Sequence, residues 1–355
     1  MKTKKQSSYF RENIERMDGY VPGEQPQDGV YIKLNTNENP YPPSPKALAA
    51  LKETINDKLR LYPDPNALSA RKKVSEIFSI KPESVMIGNG SDELLAIITR
   101  CFAGEGDKIV YPYPSYLLYK TLSEIQNVEA CAVDFLEDYS LPEEILVEGA
   151  AITFICNPNS PSGTMVPVNK VSDIAGGIDG VIVVDEAYVD FADDNCMRLV
   201  NEHPNLIVLR TLSKSYSLAG MRLGFAVAQE GLISGMVKVK DSYNVDRLSM
   251  VSAVAALDDQ ATFRENVARI KKTRNRLMNS LQKLGFFVYP SQANFVMIRC
   301  SNAQNAENIY LELKKQKILI RYIDQPRIDD CLRITVGTDE EINTLLEKLA
   351  EIKKR

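Results

Sequence analysis

The chain has 355 residues and a formal net charge of −4, and 44% of its residues are hydrophobic. This length allows one large and one smaller domain, and the acidic balance argues against a nucleic-acid-binding surface. No apolar run approaches the roughly 20 residues of a membrane helix, and no signal-peptide core follows Met1, so we expect a cytoplasmic protein with no membrane partner.

The first 250 residues follow an alternating pattern. Residues 1–43 predict an extended arm interrupted by prolines, with one helical turn near residues 10–17. A helix is predicted over residues 45–55 because Ser44 can act as its N-cap. Apolar strands are then expected between helical stretches, at residues 85–87, 108–111, 151–156, 181–184, 206–210 and 224–228. This alternation predicts an α/β fold with a mostly parallel, doubly wound sheet in a large domain over residues 44–254.

The last hundred residues follow a different pattern. A long amphipathic helix is predicted from about residue 262 to residue 278. Strands are expected at residues 286–288, 294–298, 318–321 and 332–336, with helices near 307–315 and from 339 onwards. This pattern predicts a smaller α+β domain over residues 255–355, joined by the arm of residues 1–43.

A lysine and an arginine flank a loop of small residues after one predicted strand, in Thr211-Leu-Ser-Lys-Ser-Tyr-Ser-Leu-Ala-Gly-Met-Arg222. Partial burial on this loop would lower the pKa of Lys214 and make its amine a nucleophile that can hold an aldehyde cofactor. Arg222 and the Ser213 hydroxyl could bind a phosphate. The alternative is a surface lysine beside a strand-flanking arginine.

Asp185 ends the apolar run of residues 181–184, which is typical of a central parallel strand buried on both faces. Ligands of open α/β sheets bind at this end of the strands. A poorly hydrated carboxylate there needs a cation, and a protonated pyridine nitrogen would serve. Tyr188 could then reach a phenolic oxygen of the same ring. Alternatively, Asp185 caps a helix or forms a turn.

Two further loops follow predicted strands. Gly88-Asn-Gly-Ser-Asp92 opens a helix, where free backbone N–H groups and glycines suit a bound phosphate, although a plain N-cap is the alternative. Ile155-Cys-Asn-Pro-Asn-Ser-Pro-Ser-Gly-Thr164 has the composition of an ordinary turn.

Taken in their order along the chain, the four segments resemble the pyridoxal-phosphate-dependent aminotransferases of fold type I, and the resemblance covers nearly the whole chain. Further segments resemble the histidinol-phosphate aminotransferases within that superfamily, namely Tyr20-Val-Pro-Gly-Glu-Gln-Pro26, Leu34-Asn-Thr-Asn-Glu-Asn-Pro40, Leu61-Tyr-Pro-Asp-Pro65, Ile320-Arg321 and Leu332-Arg-Ile-Thr-Val-Gly337. The resemblance implies transamination between histidinol phosphate and 2-oxoglutarate in histidine biosynthesis. Alternatives on the same scaffold are an aromatic aminotransferase and a phospho-amino-acid decarboxylase, whereas intact Lys214 and Asp185 disfavour a non-catalytic binding module.

The resemblance also implies a role for each residue around pyridoxal 5'-phosphate. Lys214 would bind the cofactor covalently and move a proton, Asp185 would pair with the pyridine nitrogen, and Tyr188 would bond the phenolic oxygen. Tyr113 would stack on the ring, or else is a packing aromatic. The cofactor phosphate would be held by Gly90, Ser91, Asp92, Ser213 and Arg222, and by Tyr62 of a second subunit in a homodimer.

On the substrate side, the resemblance implies that Arg333 grips the carboxylate of the amino-acid partner. Arg321 and Tyr20 would bind the phosphate of the substrate, and Asn39 would take part in substrate binding. One position departs from the pattern, because Ser160 stands where the family usually has an asparagine that donates to the phenolic oxygen. Ser160 through a water, Asn157 or Asn159, or Tyr188 alone are the open alternatives for that contact.

Other chemistries lose support from the histidine and cysteine counts. His203 is the single histidine, so two-histidine metal sites are excluded and a hydrolase would lack its usual base. The six cysteines form no Cys-x-x-Cys pair, which favours reduced thiols over a disulfide framework or zinc site. Gly88-Asn-Gly90 does not extend to the dinucleotide-binding pattern Gly-x-Gly-x-x-Gly. We therefore expect small-molecule substrates and no metal.

Overall fold

The computed structural model describes residues 9–19 and 23–354. The strands in these ranges are β1 (Ile32–Lys33), β2 (Val85–Gly88), β3 (Lys108–Tyr113), β4 (Glu129–Asp134), β5 (Ala150–Cys156), β6 (Val181–Asp185), β7 (Leu206–Thr211), β8 (Gly224–Val227), β9 (Phe287–Val288), β10 (Phe295–Arg299), β11 (Ile318–Leu319), β12 (Arg321–Tyr322) and β13 (Cys331–Thr335). The helices there are α1 (Glu12–Arg16), α2 (Pro45–Thr54), α3 (Leu68–Phe78), α4 (Ser91–Phe102), α5 (Leu118–Gln126), α6 (Val168–Gly177), α7 (Glu230–Val237), α8 (Arg247–Asp258), α9 (Gln260–Lys283), α10 (Ala303–Lys315) and α11 (Asp339–Lys353).

Seven strands form one large sheet in the order β2-β8-β7-β6-β5-β3-β4. β8 is antiparallel to both of its neighbours, and the remaining pairs are parallel. The predicted fold class is therefore confirmed. The sequence analysis missed β4, an edge strand whose residues are exposed or half-buried, because the apolar run in Glu129-Ala-Cys-Ala-Val-Asp134 is short and consists mostly of small residues.

The large sheet is buried on both faces. In β6, Ile182 and Val184 belong to the core on one face, and Val181 and Val183 belong to the core on the other. Successive side chains of a strand point to opposite faces, so a continuous apolar run is what a strand between two helical layers requires. The helical layers on both faces hold β6 and β7 in place. Asp185 lies at the end of β6, and Lys214 follows the end of β7.

A second, antiparallel sheet in the order β12-β13-β10-β9 has its own hydrophobic core with α9, α10 and α11. The single strand predicted over residues 318–321 is divided into β11 and β12, which belong to different sheets, because β11 pairs with β1 of the arm. The predicted domain limit between residues 254 and 255 falls inside α8, and the domain bounds stay a prediction.

The predicted helix after Ser44 is present as α2. Ser44 Oγ accepts a hydrogen bond from the Lys46 amide and donates one of 2.5 Å to Asp259, the N-cap of α9. The start of α2 is thereby tied to the start of α9. Across residues 9–19 and 23–354, none of the helices has both the length and the apolar character of a membrane span.

Candidate active site

A cavity of about 400 Å³ lies at the carboxyl ends of β6 and β7, between the large sheet, the small sheet and the arm. The large sheet supplies the side chains that follow its strands, and β12 and β13 supply two arginines. The cavity brings together most of the predicted site residues, namely Ser91, Asp92, Ser160, Asp185, Tyr188, Ser213, Lys214, Arg222, Arg321 and Arg333.

Asp185 is the last residue of β6 and is 2% exposed. Its carboxylate accepts hydrogen bonds of 3.0 Å from the Tyr119 hydroxyl and 3.2 Å from the Ala187 amide. Burial raises the pKa of Asp185 to about 6, against the opposing effect of the Tyr119 hydrogen bond. Among the described residues no cation forms an ion pair with it, so the site suits a cationic ligand group, which would restore the carboxylate charge.

Lys214 lies three residues beyond the end of β7. Desolvation, followed by the charge of Arg333, lowers the pKa of its amine to about 8. Its Nζ donates to the Thr36 carbonyl at 3.3 Å. The amide of Asn39 braces the same loop by donating to the carbonyls of Lys214 and Ser215. A lysine with this pKa is much more often neutral near pH 7 than an exposed one, and a neutral amine is the nucleophilic form.

Two hydroxyl groups line the cavity beside Lys214. The Tyr188 hydroxyl accepts a 3.0 Å hydrogen bond from the Asn37 amide, and Ser160 Oγ accepts one of 3.2 Å from Arg333. Because each oxygen accepts from the chain, each can direct its own proton into the cavity. Burial raises the pKa of Tyr188 to about 12, so this proton is retained at neutral pH.

An anion cradle lies where α4 begins. Arg222 approaches the backbone so closely that a Cβ on Gly90 would lie 2.6 Å from its guanidinium, and Gly90 has a φ of +84°. A Cβ on Gly224 would lie 2.6 Å from the Ser91 nitrogen. Only glycine at these two positions lets the arginine and the helix start come together. Asp92 pairs with Arg222 at 3.1 Å, and Ser213 adds a hydroxyl to the lining.

On the side of the cavity formed by the small sheet, Arg321 of β12 lies directly opposite Arg333 of β13 in the antiparallel register. Arg333 donates to the Asn35 carbonyl at 3.0 Å as well as to Ser160. Gly23 and Gln25 of the arm line the cavity on the same side. Tyr20, which was predicted to bind the substrate phosphate, lies outside the described residues.

Several predicted residues lie behind or away from the lining. The Tyr113 hydroxyl donates to the Pro326 carbonyl at 3.0 Å, and Tyr116 occupies the lining instead. Asn157 is fully buried, and its side chain donates to and accepts from the backbone of Val166. Tyr62 is 77% exposed and stacks on Tyr243 with ring centroids 4.5 Å apart.

The hydrogen bonds of Asn157 and Asn159 narrow the alternatives for the group that would contact the phenolic oxygen. The side chain of Asn159 is fully buried and bonded to Ser115, Ser162 and the Pro114 carbonyl. Asn157 is committed in a similar way to Val166. Ser160 and Tyr188 are therefore the groups of this set whose hydroxyls face the cavity.

Sequence reasoning missed three residues that shape the site. Tyr116 and Tyr119 closely follow Tyr113, the tyrosine predicted to stack on the ring. The tyrosine-rich sequence of this segment therefore pointed to more than one candidate. Asn37 lies two residues before Asn39 in the quoted Leu34-Asn-Thr-Asn-Glu-Asn-Pro40 segment, and its φ of 57° aims its amide at Tyr188. Within the described ranges, no cluster of His, Cys, Asp or Glu forms a candidate metal site.

Comparisons with known proteins agree with this arrangement. The family model "Aminotransferase class I and II" matches residues 30–349. A histidinol-phosphate aminotransferase of Nostoc sp. is 49% identical over 348 residues, which cover 98% of each chain. The solved histidinol-phosphate aminotransferase of Sinorhizobium meliloti, in complex with pyridoxal-5'-phosphate, superposes with a TM-score of 0.91 at 26% identity, covering 99% of each chain.

The fold by itself does not separate substrates. The L-threonine-O-3-phosphate decarboxylase of Porphyromonas gingivalis superposes with a TM-score of 0.78 at 21% identity, covering 91% of this chain and 99% of that one. The family model covers nearly the whole length of the sequence, including Asp185, Lys214 and Arg222. The chain belongs to the aminotransferase class I and II family.

Proposed function

We propose that this chain is a pyridoxal-phosphate-dependent transaminase that exchanges histidinol phosphate and 2-oxoglutarate for imidazole acetol phosphate and glutamate. One observation carries the choice of substrate: Arg321 and Arg333 are direct cross-strand partners, and both line the cavity that contains Lys214. A pair of guanidinium groups suits a substrate that carries an anionic group such as a phosphate or a carboxylate. Near-full-length similarity to the Nostoc relative supports the same assignment.

The residues present fit the cofactor. The buried carboxylate of Asp185 would pair with the protonated pyridine nitrogen of the cofactor. The amine of Lys214, with its lowered pKa, is a nucleophile for the cofactor aldehyde. Gly90, Ser91, Ser213 and Arg222 would hold the cofactor phosphate, with Asp92 orienting Arg222. Tyr116 would cover the ring in place of Tyr113. When bound, the cofactor supplies an electron sink that makes the substrate Cα–H bond acidic.

The chain's own residues supply binding and proton transfer. Lys214 Nζ would take the proton from the substrate Cα and later return it, and its lowered pKa suits a group that does both near neutral pH. The Tyr188 and Ser160 hydroxyls accept from Asn37 and Arg333, so their own protons would be available to the phenolic oxygen of the bound cofactor. Arg333 binds the carboxylate of glutamate or 2-oxoglutarate, and Arg321 with Tyr20 binds the phosphate of histidinol phosphate. Asn39 positions the Lys214 loop rather than the substrate.

A substrate panel tests this assignment. Purified enzyme is supplied with 2-oxoglutarate and, in turn, with histidinol phosphate, phenylalanine, tyrosine and threonine phosphate as amino donors. We expect the highest kcat/KM with histidinol phosphate. Faster reaction with the aromatic amino acids would favour an aromatic aminotransferase, and release of carbon dioxide from threonine phosphate would favour a decarboxylase.

We also propose a cytoplasmic homodimer whose active sites are shared. Tyr62 and the nearby residues Leu59, Leu61 and Leu68 are all exposed apolar side chains, and this segment is a candidate subunit interface through which Tyr62 would reach the partner's cofactor phosphate. Mixing inactive Lys214→Ala and Tyr20→Ala variants should restore part of the activity through mixed dimers. A fully active monomer in sedimentation experiments would contradict the shared site.

A further inference from the structure

A buried ionic cluster lies directly beneath the active site. The Arg210 guanidinium contacts Glu186 at 2.8 Å and Asp190 at 3.3 Å, and the Glu186 side chain is completely buried. Glu186 also accepts a 2.5 Å hydrogen bond from the Cys196 amide. A buried charge is tolerated only when it is paired and hydrogen-bonded, as here. The roles proposed above for the site residues do not use this cluster.

The cluster reaches the catalytic lysine through one serine. Ser215, which follows Lys214 and is 1% exposed, donates a 2.5 Å hydrogen bond to Asp190. At the other end, Glu186 follows Asp185 in the chain. The chain of contacts Ser215–Asp190–Arg210–Glu186 therefore connects the neighbour of the lysine with the neighbour of the aspartate.

This connection begins where the sheet stops. The last paired residues of β6 and β7 are Asp185 and Leu209, and the Glu186 amide still donates to the Leu209 carbonyl at 2.8 Å. Beyond that point backbone ladder bonds no longer fix the spacing of the two chain segments. Side-chain contacts must do so, because proton transfer tolerates only small errors in position.

We propose that Ser215, Asp190, Arg210 and Glu186 form a positioning network that holds the Lys214 amine in register with the Asp185 carboxylate. These are positioning residues, because they act through Lys214 and Asp185. The inference rests on membership of the aminotransferase family and not on the choice of histidinol phosphate as substrate.

The test removes the serine link and leaves the ionic cluster intact. Ser215→Ala is compared with Ser44→Ala, because Ser44 donates an equally short 2.5 Å hydrogen bond to Asp259 and is also buried, but lies outside the cavity lining. The first readout is the pKa of the Lys214 amine in the cofactor-free protein, from competitive labelling with an amine reagent at a series of pH values. The charged groups that act on Lys214, namely Glu38, Asp92, Arg222 and Arg333, are the same in both variants.

We expect Ser215→Ala to shift this pKa by roughly 0.5 to 1 unit, since a displaced amine changes its desolvation and its distance to Arg333. The kcat with glutamate should fall by about threefold to tenfold, with a much smaller change in KM. Ser44→Ala should leave the pKa and kcat unchanged even if its melting temperature falls. Asp190→Asn, which retains an acceptor for Ser215 but weakens the pairing with Arg210, should give a smaller shift of the same sign.

Equal effects of Ser215→Ala and Ser44→Ala would overturn the proposal, because they would indicate general destabilisation. An unshifted lysine pKa in both Ser215→Ala and Asp190→Asn would overturn it as well. Labelling of Lys214 requires no substrate, so a wrong choice of substrate would leave this result interpretable.

Discussion

The cofactor end of the cavity consists of strand ends in the large sheet, whereas the substrate end consists of the small sheet and the arm. At the first end, Asp185 is almost fully buried and bonded to Tyr119, and Lys214 is braced by Asn39. At the second end, Arg321 is half-buried on a two-residue strand, and the arm beside it is attached by partly exposed contacts.

This difference in burial separates the residues proposed to perform the chemistry from those proposed to select the substrate. Burial lowers the pKa of Lys214 to about 8, which favours the nucleophilic amine, and raises that of Asp185 to about 6, which makes its charged form depend on a cationic partner. The substrate end depends on a few side chains of short elements, which can change without disturbing the large core. A common scaffold with different substrates, as the decarboxylase neighbour illustrates, is what this division allows.

The largest expected effect is at the cofactor end, in Lys214→Ala. The variant should fold, because Lys214 Nζ makes one long hydrogen bond to Thr36, but it should lose covalent attachment of the cofactor. Loss of general acid–base catalysis alone lowers turnover by roughly 10²- to 10⁴-fold, and loss of the covalent link adds to this. Absorbance spectra and single-turnover kinetics measure both effects.

Lys46→Ala is the control for this experiment, because Lys46 is an exposed lysine paired with Asp258 on α8. It should retain the spectrum and the turnover of the parent enzyme. A protein-bound Schiff-base absorbance in Lys214→Ala would show that another amine binds the cofactor.

The second prediction separates the two arginines at the substrate end. Arg321→Ala should impair the half-reaction with histidinol phosphate by roughly 2–5 kcal/mol and leave the glutamate half-reaction nearly intact. Arg333→Ala should impair the glutamate half-reaction too, because Arg333 is the residue proposed to bind the carboxylate of glutamate. Stopped-flow measurement of each half-reaction distinguishes them. Equal losses on phosphorylated and unphosphorylated donors in Arg321→Ala would reject a phosphate role.

The sequence alone predicts the polar residues that follow apolar strands, but not the partners that reach them from other parts of the chain. Lys214 and Asp185 were identified because each follows a continuous apolar run, and a strand followed by a polar residue is a local signal. The tyrosine that lines the cavity was not identifiable in this way. β3 continues to Tyr113, and the chain turns after it, so the ring that faces the cavity belongs to Tyr116.

Contacts between distant parts of the chain also left no local signal. Asn37 donates to Tyr188 across 151 residues, and Tyr119 donates to Asp185 across 66. The roles of Ser160 and the two buried asparagines were open for the same reason, since each depends on which loop packs behind the cavity. A period of apolar residues reports burial, but it does not report which polar partners meet.

The third prediction concerns pH and Asp185. Its folded-state pKa is raised from 3.8 to about 6, so the folded cofactor-free protein binds an extra proton between these values. Its stability should therefore fall as pH rises from about 4 to 6, by about 1.4 kcal/mol per pKa unit and about 3 kcal/mol in total. Asp185→Asn should abolish this loss and be more stable than the parent apoprotein at pH 7.

Chemical denaturation of both apoproteins at pH 4, 5, 6 and 7 gives the difference in unfolding free energy directly. The same substitution should weaken cofactor binding, because the pyridinium loses its carboxylate partner. Parallel stability curves for the two apoproteins across this range would show that Asp185 is already paired with a cation in the folded chain.

The smallest expected effect is at the arm. Glu24 pairs with Lys314 at 2.5 Å and accepts a hydrogen bond from Tyr310, while its carbonyl accepts one from Asn35, and these contacts place Gly23 and Gln25 at the cavity. Partly exposed ion pairs of this kind contribute roughly 0.2–1 kcal/mol. Glu24→Gln should therefore raise the KM for histidinol phosphate by about two- to fivefold and leave the glutamate half-reaction unchanged.

Asp28→Asn is the matched control, because it breaks the pair with Lys317 on the same arm, and neither residue lines the cavity in the described part of the chain. Added salt should reduce the difference between the parent enzyme and Glu24→Gln, since exposed pairs are screened. If both variants raise the KM equally, the arm contributes through its overall attachment and not through Glu24. If Glu24→Gln also slows the glutamate half-reaction, the arm influences the cofactor end, and the division between chemistry and selection is less sharp than the two ends of the cavity indicate.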